Sequence, residues 1–434
     1  MSKVTFDSLR WLEQPAQVTV TVNGGPPRAY FQATSPRDAA ALCKGRLVEE
    51  LPRILSILSP AHHLCAAQAL DRLFNVEPPA VAQNMREALR RVLFVRHFLR
   101  KFYFLASSQE SPFAELRSRE VRPGKRDLHG VVQDLSRHLS LAQEAAIILG
   151  GRADHPVTAV AGGVSRSLRE EHHPRLAEIA AACRDCAVRL SAFVREDVFP
   201  AGKLLADVQD IAVGPLASLS LAPEPDRLVL RDAKGKELER FATTALFDKV
   251  ALQREPWSYE PFAFLKDKGW KDLAAGSTES LFFVGPLARL NGGEAVATPL
   301  AEAERLRLVE ALGPFPHGGV LAAYWAMLVQ LLEAAEVLVA TCEVEKLSGP
   351  APRTIPTALG QEGHAALESP QGLIYHRFRA DERGVVQEAQ ILDAATANNG
   401  LLALLAQRAV EEPVAQSKPW EVARKRVELS LLPF

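Results

Sequence analysis

Between residues 16 and 34 apolar and polar positions alternate. Val18, Val20 and Val22 stand against Thr19 and Thr21 ahead of Asn23-Gly24-Gly25. A period of two followed by Asn-Gly predicts a β-hairpin, because glycine accepts the positive φ of a tight turn. From Asp38 to Ala106 the pattern is mainly helical. Pro60 stands where a helix begins, since proline is tolerated in a first turn. Leu89, Val92, Leu93 and Leu99 recur at helical spacing within 84–107. The stretch Gly150 to Gly163 interrupts the helices, and 168–205 predicts another long one. Residues 207–245 alternate like short strands, with Lys234-Gly235-Lys236 as a tip. Helices return at 299–313 and 317–346. A strand pair is predicted at 371–378 and 385–394, turned by Asp381-Glu382-Arg383-Gly384, with helices at 398–411 and 418–429 after it.

The sum is a helix-rich α+β fold with long central helices and small peripheral β-sheets. It divides into an N-terminal hairpin region (1–35), a helical core (36–205), peripheral strands and loops (206–300), and helices plus a hairpin (301–434), read as one domain over 1–434. The most apolar run, Gly319 to Ala340, carries Gln330, Glu333 and Glu336 on one helical side. That suits a buried amphipathic helix better than a membrane span.

Charge removes some functions from the list. Lys+Arg is 51 and Asp+Glu is 52, so no basic excess points to nucleic acid or to an anionic membrane surface. Residues 1–30 lack the charged start and apolar stretch of a secretory signal. The five cysteines (Cys43, Cys65, Cys183, Cys186, Cys342) are an odd set. They predict free thiols and a cytoplasmic, reducing location.

Short motifs give little chemistry by themselves. Cys183-Arg184-Asp185-Cys186 is a lone Cys-x-x-Cys in a helical stretch, and a structural zinc site needs four ligands, so two ordinary helical cysteines are expected. His172-His173 reads as a solvated helix start. His62-His63 with Cys65 suggests a metal site, but Cys65 is expected on a different helical face from His62. No G-x-G-x-x-G, P-loop or G-x-S-x-G motif is present, so no flavin, nicotinamide or nucleotide site is expected in this chain.

Four longer stretches occur in a recognisable order. They are Arg53-Ile54-Leu55-Ser56-Ile57-Leu58-Ser59-Pro60-Ala61-His62-His63 and Gly150-Gly151-Arg152-Ala153-Asp154-His155-Pro156-Val157-Thr158. Val284-Gly285-Pro286-Leu287-Ala288-Arg289-Leu290-Asn291 follows, and then Glu368-Ser369-Pro370-Gln371-Gly372 with Asn398-Asn399 after it. Together they resemble the large subunit of soluble, nicotinamide- or F420-linked nickel–iron hydrogenases, along nearly the whole chain.

The resemblance implies two Cys-x-x-Cys pairs holding nickel and iron, because thiolates suit soft metals. The first pair falls at positions 55 and 58, and both are leucine. The second belongs in a stretch near the C-terminus, where this sequence reads Leu429-Ser430-Leu431-Leu432-Pro433-Phe434. The family's arginine over the metals is Gln371, and a glutamate that helps bind magnesium aligns with Ala40. The family's terminal histidine and its proteolytic trimming are expected to have no counterpart here.

Glu13 matches the family's proton-relaying glutamate and His62 the histidine four positions past the second cysteine; both are expected as hydrogen-bonded structural groups. Leu55 and Leu58, packed with Leu431 and Leu432, are expected to fill the vacated metal pocket. A partner is implied as well: a hydrogenase-small-subunit-like iron–sulfur protein, with a flavin/NAD or heterodisulfide-reductase-like module as a further candidate. The expected role is that of a non-catalytic subunit of an electron-transfer complex. The rival reading has a quinone-like molecule in the vacated pocket, lined by Gln371, Glu13 and His62. Hydrogenase activity is the remote third.

Overall fold

A computed structural model describes residues 2–434 except 11, 13–14, 35–37, 109–112, 114–126, 200–206, 213–215, 272, 274–277 and 350. The chain opens with an antiparallel three-stranded sheet, β1 (Ser2–Phe6), β2 (Ala16–Val22) and β3 (Arg28–Ala33). The alternation at 16–34 therefore forms the expected hairpin, with Val18 and Val20 fully buried, and β1 is added to it.

Helices α1 (Ala39–Cys43), α2 (Leu51–Leu55), α3 (Pro60–Leu73) and α4 (Ala80–Ser107) follow. Asp38 caps α1 by accepting from the Ala41 amide. Pro60 occupies the first turn of α3, as its missing N–H allows. Helix α5 (Leu128–Gly150) packs along α4 and leads to the small hairpin β4 (Ala159–Val160) and β5 (Gly163–Val164). Helix α6 (His172–Phe193) continues into a wider turn at Val194–Val198.

The peripheral region holds β6 (Ala217–Leu221), β7 (Arg227–Arg231) and β8 (Glu237–Ala242) as a meander, with Gly235 at positive φ at its tip. Strands β9 (Val250–Gln253) and β10 (Phe262–Leu265) pair with each other, and β11 (Phe282–Phe283) joins β6 in parallel. The long helix α7 (Val320–Thr341) packs against α4 and α6. It is apolar and long enough to cross a membrane, yet 78% of its most apolar window is buried inside the protein. Three antiparallel strands, β12 (Glu362–Ser369), β13 (Gly372–Ala380) and β14 (Val386–Leu392), then precede α8 (Ala394–Ala415) and α9 (Trp420–Leu431).

Three sequence expectations change here. Helix α7 stops at Thr341, and a separate turn of helix covers Val344–Leu347. Helix α8 starts at Ala394, where Asp393 accepts from the Thr396 amide at 2.7 Å, and runs through Pro413. Strand β12 has no hydrophobic alternation in Glu362-Gly363-His364-Ala365 to reveal it. It exists because β13 pairs with it along its whole length.

Candidate functional site

The four motif stretches come together in two pairs. Helix α2 and the turn after it bring in the first. Leu55 is fully buried in the main core cluster, Leu58 is half-buried against it, and Ile57 between them is 68% exposed. The second stretch touches the first twice. His155 Nδ1 lies 3.2 Å from the Ser56 carbonyl oxygen, and the Ala159 amide donates to His63 Nε2 at 2.9 Å. His63 Nδ1 in turn donates to the Pro52 carbonyl at 2.9 Å. This fixes one tautomer, and burial pulls its pKa down to about 4.

The third and fourth stretches are clamped by side-chain amides. Asn398 Oδ1 accepts from the Val284 amide at 2.9 Å, and Asn399 Nδ2 donates to the carbonyls of Glu260 and Pro261. Gly285 has φ +111, and a Cβ there would lie 2.8 Å from the Gln371 carbonyl oxygen. A side chain at 285 would therefore push the two loops apart.

His62 faces the strand and helix start that flank the fourth stretch. Its Nδ1 lies 2.9 Å from His376 Nε2 on β13, the rings stack with centroids 5.1 Å apart, and its Nε2 is 4.0 Å from Asp393 Oδ2. His376 is completely buried. Desolvation, and then the neighbouring His62, hold its pKa well below the usual imidazole value. Cys65 turns to the same sheet, 3.6 Å from the Ala365 carbonyl and 3.9 Å from that of Ile374. The expected separation of His62 and Cys65 was wrong, because positions three apart on a helix are neighbours. His173 is also buried rather than solvated.

The C-terminal segment enters the core beside these stretches. Leu429, Leu431 and Leu432 are fully buried and share one apolar cluster with Leu55. Lys101 Nζ donates to the Leu432 carbonyl at 2.6 Å and Tyr324 Oη to that of Leu429 at 2.8 Å. The buried Glu428 carboxylate accepts from Arg10 Nε at 3.0 Å and from Arg424 Nε at 3.0 Å.

Gln371 lines a cleft of about 60 Å³ with Lys101, Glu260, Asn399 and Phe434. Neither Leu55 nor Leu58 lines it. Glu13 lies outside the described residues, and Ala40 is half-buried in α1. His376, Asp393 and Lys101 are site residues that sequence reasoning missed. One signal was available for His376: it shares strand parity with Ile374 and Phe378, which places an imidazole among inward-facing apolar residues.

Nothing in this site offers a thiolate at 55 or 58. Among the described residues, the donors here are a histidine pair, a carboxylate 4.0 Å away and the single thiol of Cys65, which do not fit a bimetallic centre bridged by thiolates.

No family model matches the chain. Its fold is that of the nickel–iron hydrogenase large subunit, and its sequence is similar over nearly its whole length to subunits of F420-non-reducing hydrogenases. An NAD+-reducing [NiFe]-hydrogenase chain superposes with a TM-score of 0.85 over 100% of this chain and 97% of its own, at 22% identity. A Ni-Fe-Se hydrogenase from D. vulgaris Hildenborough gives 0.69 at 16% identity, covering 99% of each chain. In sequence, the chain is 26% identical to an F420-non-reducing hydrogenase iron-sulfur subunit of Archaeoglobus profundus, over 96% of this chain and 89% of that protein. It is 28% identical to a vhu subunit of the F420-non-reducing hydrogenase of Methanocaldococcus jannaschii, over 92% and 96%.

Proposed function

We propose that this chain is a non-catalytic large-subunit-like component of a cytoplasmic, multi-subunit electron-transfer complex, packing on an iron–sulfur small subunit. The observation that carries the proposal is the leucine pair. Leu55 and Leu58 stand where the family places its first two metal thiolates, and an alkyl side chain has no lone pair to give a metal. Leu55 is fully buried, so its role is packing. The cleft beside Gln371, about 60 Å³, is far below the roughly 300 Å³ at which organic-ligand pockets begin. A quinone-like occupant is therefore the weaker reading.

The relatives support such a partner: they are named as subunits of F420-non-reducing and NAD-reducing hydrogenases. A small-subunit-like iron–sulfur protein is the first candidate, and a flavin/NAD or heterodisulfide-reductase-like module the second. Co-expression with iron–sulfur proteins encoded beside it, followed by size-exclusion chromatography, tests this. A co-eluting complex with clusters in the partner is expected. A stable monomer that ignores every such neighbour would overturn it.

A further inference from the structure

The Cys183–Cys186 pair does not work as a unit. Cys183 and Cys342 are close enough for the charge of one to disfavour ionising the other. Cys186, one turn further on, faces helix α5 instead. There its Sγ, a carboxylate oxygen of Asp134 and a ring nitrogen of His138 all lie within 4.8 Å of one another. Asp134 and His138 are four residues apart on α5, a spacing that puts both on one face.

The geometry points to a divalent-metal site here, of the zinc class, held by Asp134, His138 and Cys186. It is independent of the family's metal pocket and of what stands at positions 55 and 58. Thiolate, imidazole and carboxylate together suit zinc, which takes three protein ligands and a water when one position is left open.

Two further observations support it. His138 Nδ1 is 2.7 Å from the Asp134 carbonyl oxygen. A ring N–H donated to a backbone carbonyl fixes the tautomer and leaves the other nitrogen its lone pair, as metal-bound histidines usually show. A cleft of about 250 Å³, lined by Asp134, Cys186 and Arg189 among others, also opens beside the cluster. It provides room for the water and a way in.

Arg189 already holds Asp134, with Nε 2.8 Å from Oδ2 and Nη2 2.9 Å from Oδ1. Both side chains are about one-third exposed or more, and such surface pairs contribute little. Arg189 can keep Oδ2 while Oδ1, 3.2 Å from His138 Nδ1, turns to the metal. Binding then displaces the Cys186 thiol proton to solvent, so affinity rises with pH.

The test uses the full-length chain in whatever complex it purifies with. It is treated with chelator, incubated with zinc sulfate, desalted and assayed for zinc by elemental mass spectrometry. About one retained equivalent per chain is expected. Cys186→Ser and His138→Gln should lose it, while Cys183→Ser keeps it. Asp134→Asn, at the half-exposed carboxylate, should weaken binding roughly tenfold or more, and it decides the matter if Cys186→Ser fails to fold. No retained zinc in the wild-type protein, or the same zinc in all four variants, overturns the site.

Discussion

His62 Nδ1 and His376 Nε2 sit 2.9 Å apart with both rings buried, one on α3 and the other on β13. One ring must donate and the other accept, so both cannot be charged at once. His376 and His63 have folded pKa values below the unfolded imidazole value of 6.5. The unfolded chain therefore takes up protons first as pH falls. Their stabilisation is complete above pH 6.5 and is lost as pH falls, for His63 down to about 4. Urea unfolding at pH 5 should show about 2 kcal/mol less stability than at pH 7 from His63 alone. A flat profile across that window would contradict the burial of His63 and His376 as neutral imidazoles.

Leu55 is fully buried whereas Leu58 is half-buried. Leu55→Ala should lower stability by about 2–5 kcal/mol, since it leaves a cavity in the main core. Leu58→Ala should cost less than Leu55→Ala. Denaturant titration gives both values. Electron transfer through the assembled complex should survive each change. Loss of turnover without loss of stability would indicate a working site at these positions.

Asp71 and Arg86 join α3 to α4 with contacts of 2.5 and 3.2 Å, and both are buried. The same carboxylate accepts from the Gly162 amide at 2.7 Å, and Arg86 reaches the carbonyls of Val160 and Gly163. Asp71→Ala should destabilise by about 3–5 kcal/mol, because the guanidinium remains buried without its counter-charge. A loss under about 1 kcal/mol, the range of exposed pairs, would show that water reaches Arg86.

Ile57 stands exposed between the two leucines, a large apolar side chain that the proposed iron–sulfur partner would cover. Ile57→Glu should weaken that complex at least about tenfold, with thermal unfolding of the chain unchanged. Titration by surface plasmon resonance or analytical ultracentrifugation reads this. An unchanged affinity would move the proposed interface elsewhere.

Much of this architecture was legible because periodicity and motif order agree. Val18 and Val20 announced β2, Pro60 the start of α3, and Leu89 to Leu99 the buried face of α4. Strands β9 and β12 were hidden, since Val250–Gln253 is too short for a pattern and Glu362–Ser369 is rich in small and polar residues. Their partners, not their own propensities, make them strands. Of the candidate site, Leu55 and Leu58 rest on the motif resemblance alone. The pairing of His62 with His376 spans 314 residues, and no local pattern encodes it. The division of Cys183 from Cys186 was likewise invisible until α5 and α6 were placed side by side.

On the proposed function, leucines at 55 and 58 leave this chain without a nickel–iron centre. Elemental analysis of the complex purified from its native host, paired with hydrogen-dependent reduction of a viologen dye, decides whether they do. Expected are no nickel beyond what Cys186→Ser removes, iron accounted for by the partner's clusters, and no dye reduction. About one nickel per chain, retained in Cys186→Ser and accompanied by hydrogen oxidation, would contradict the proposal.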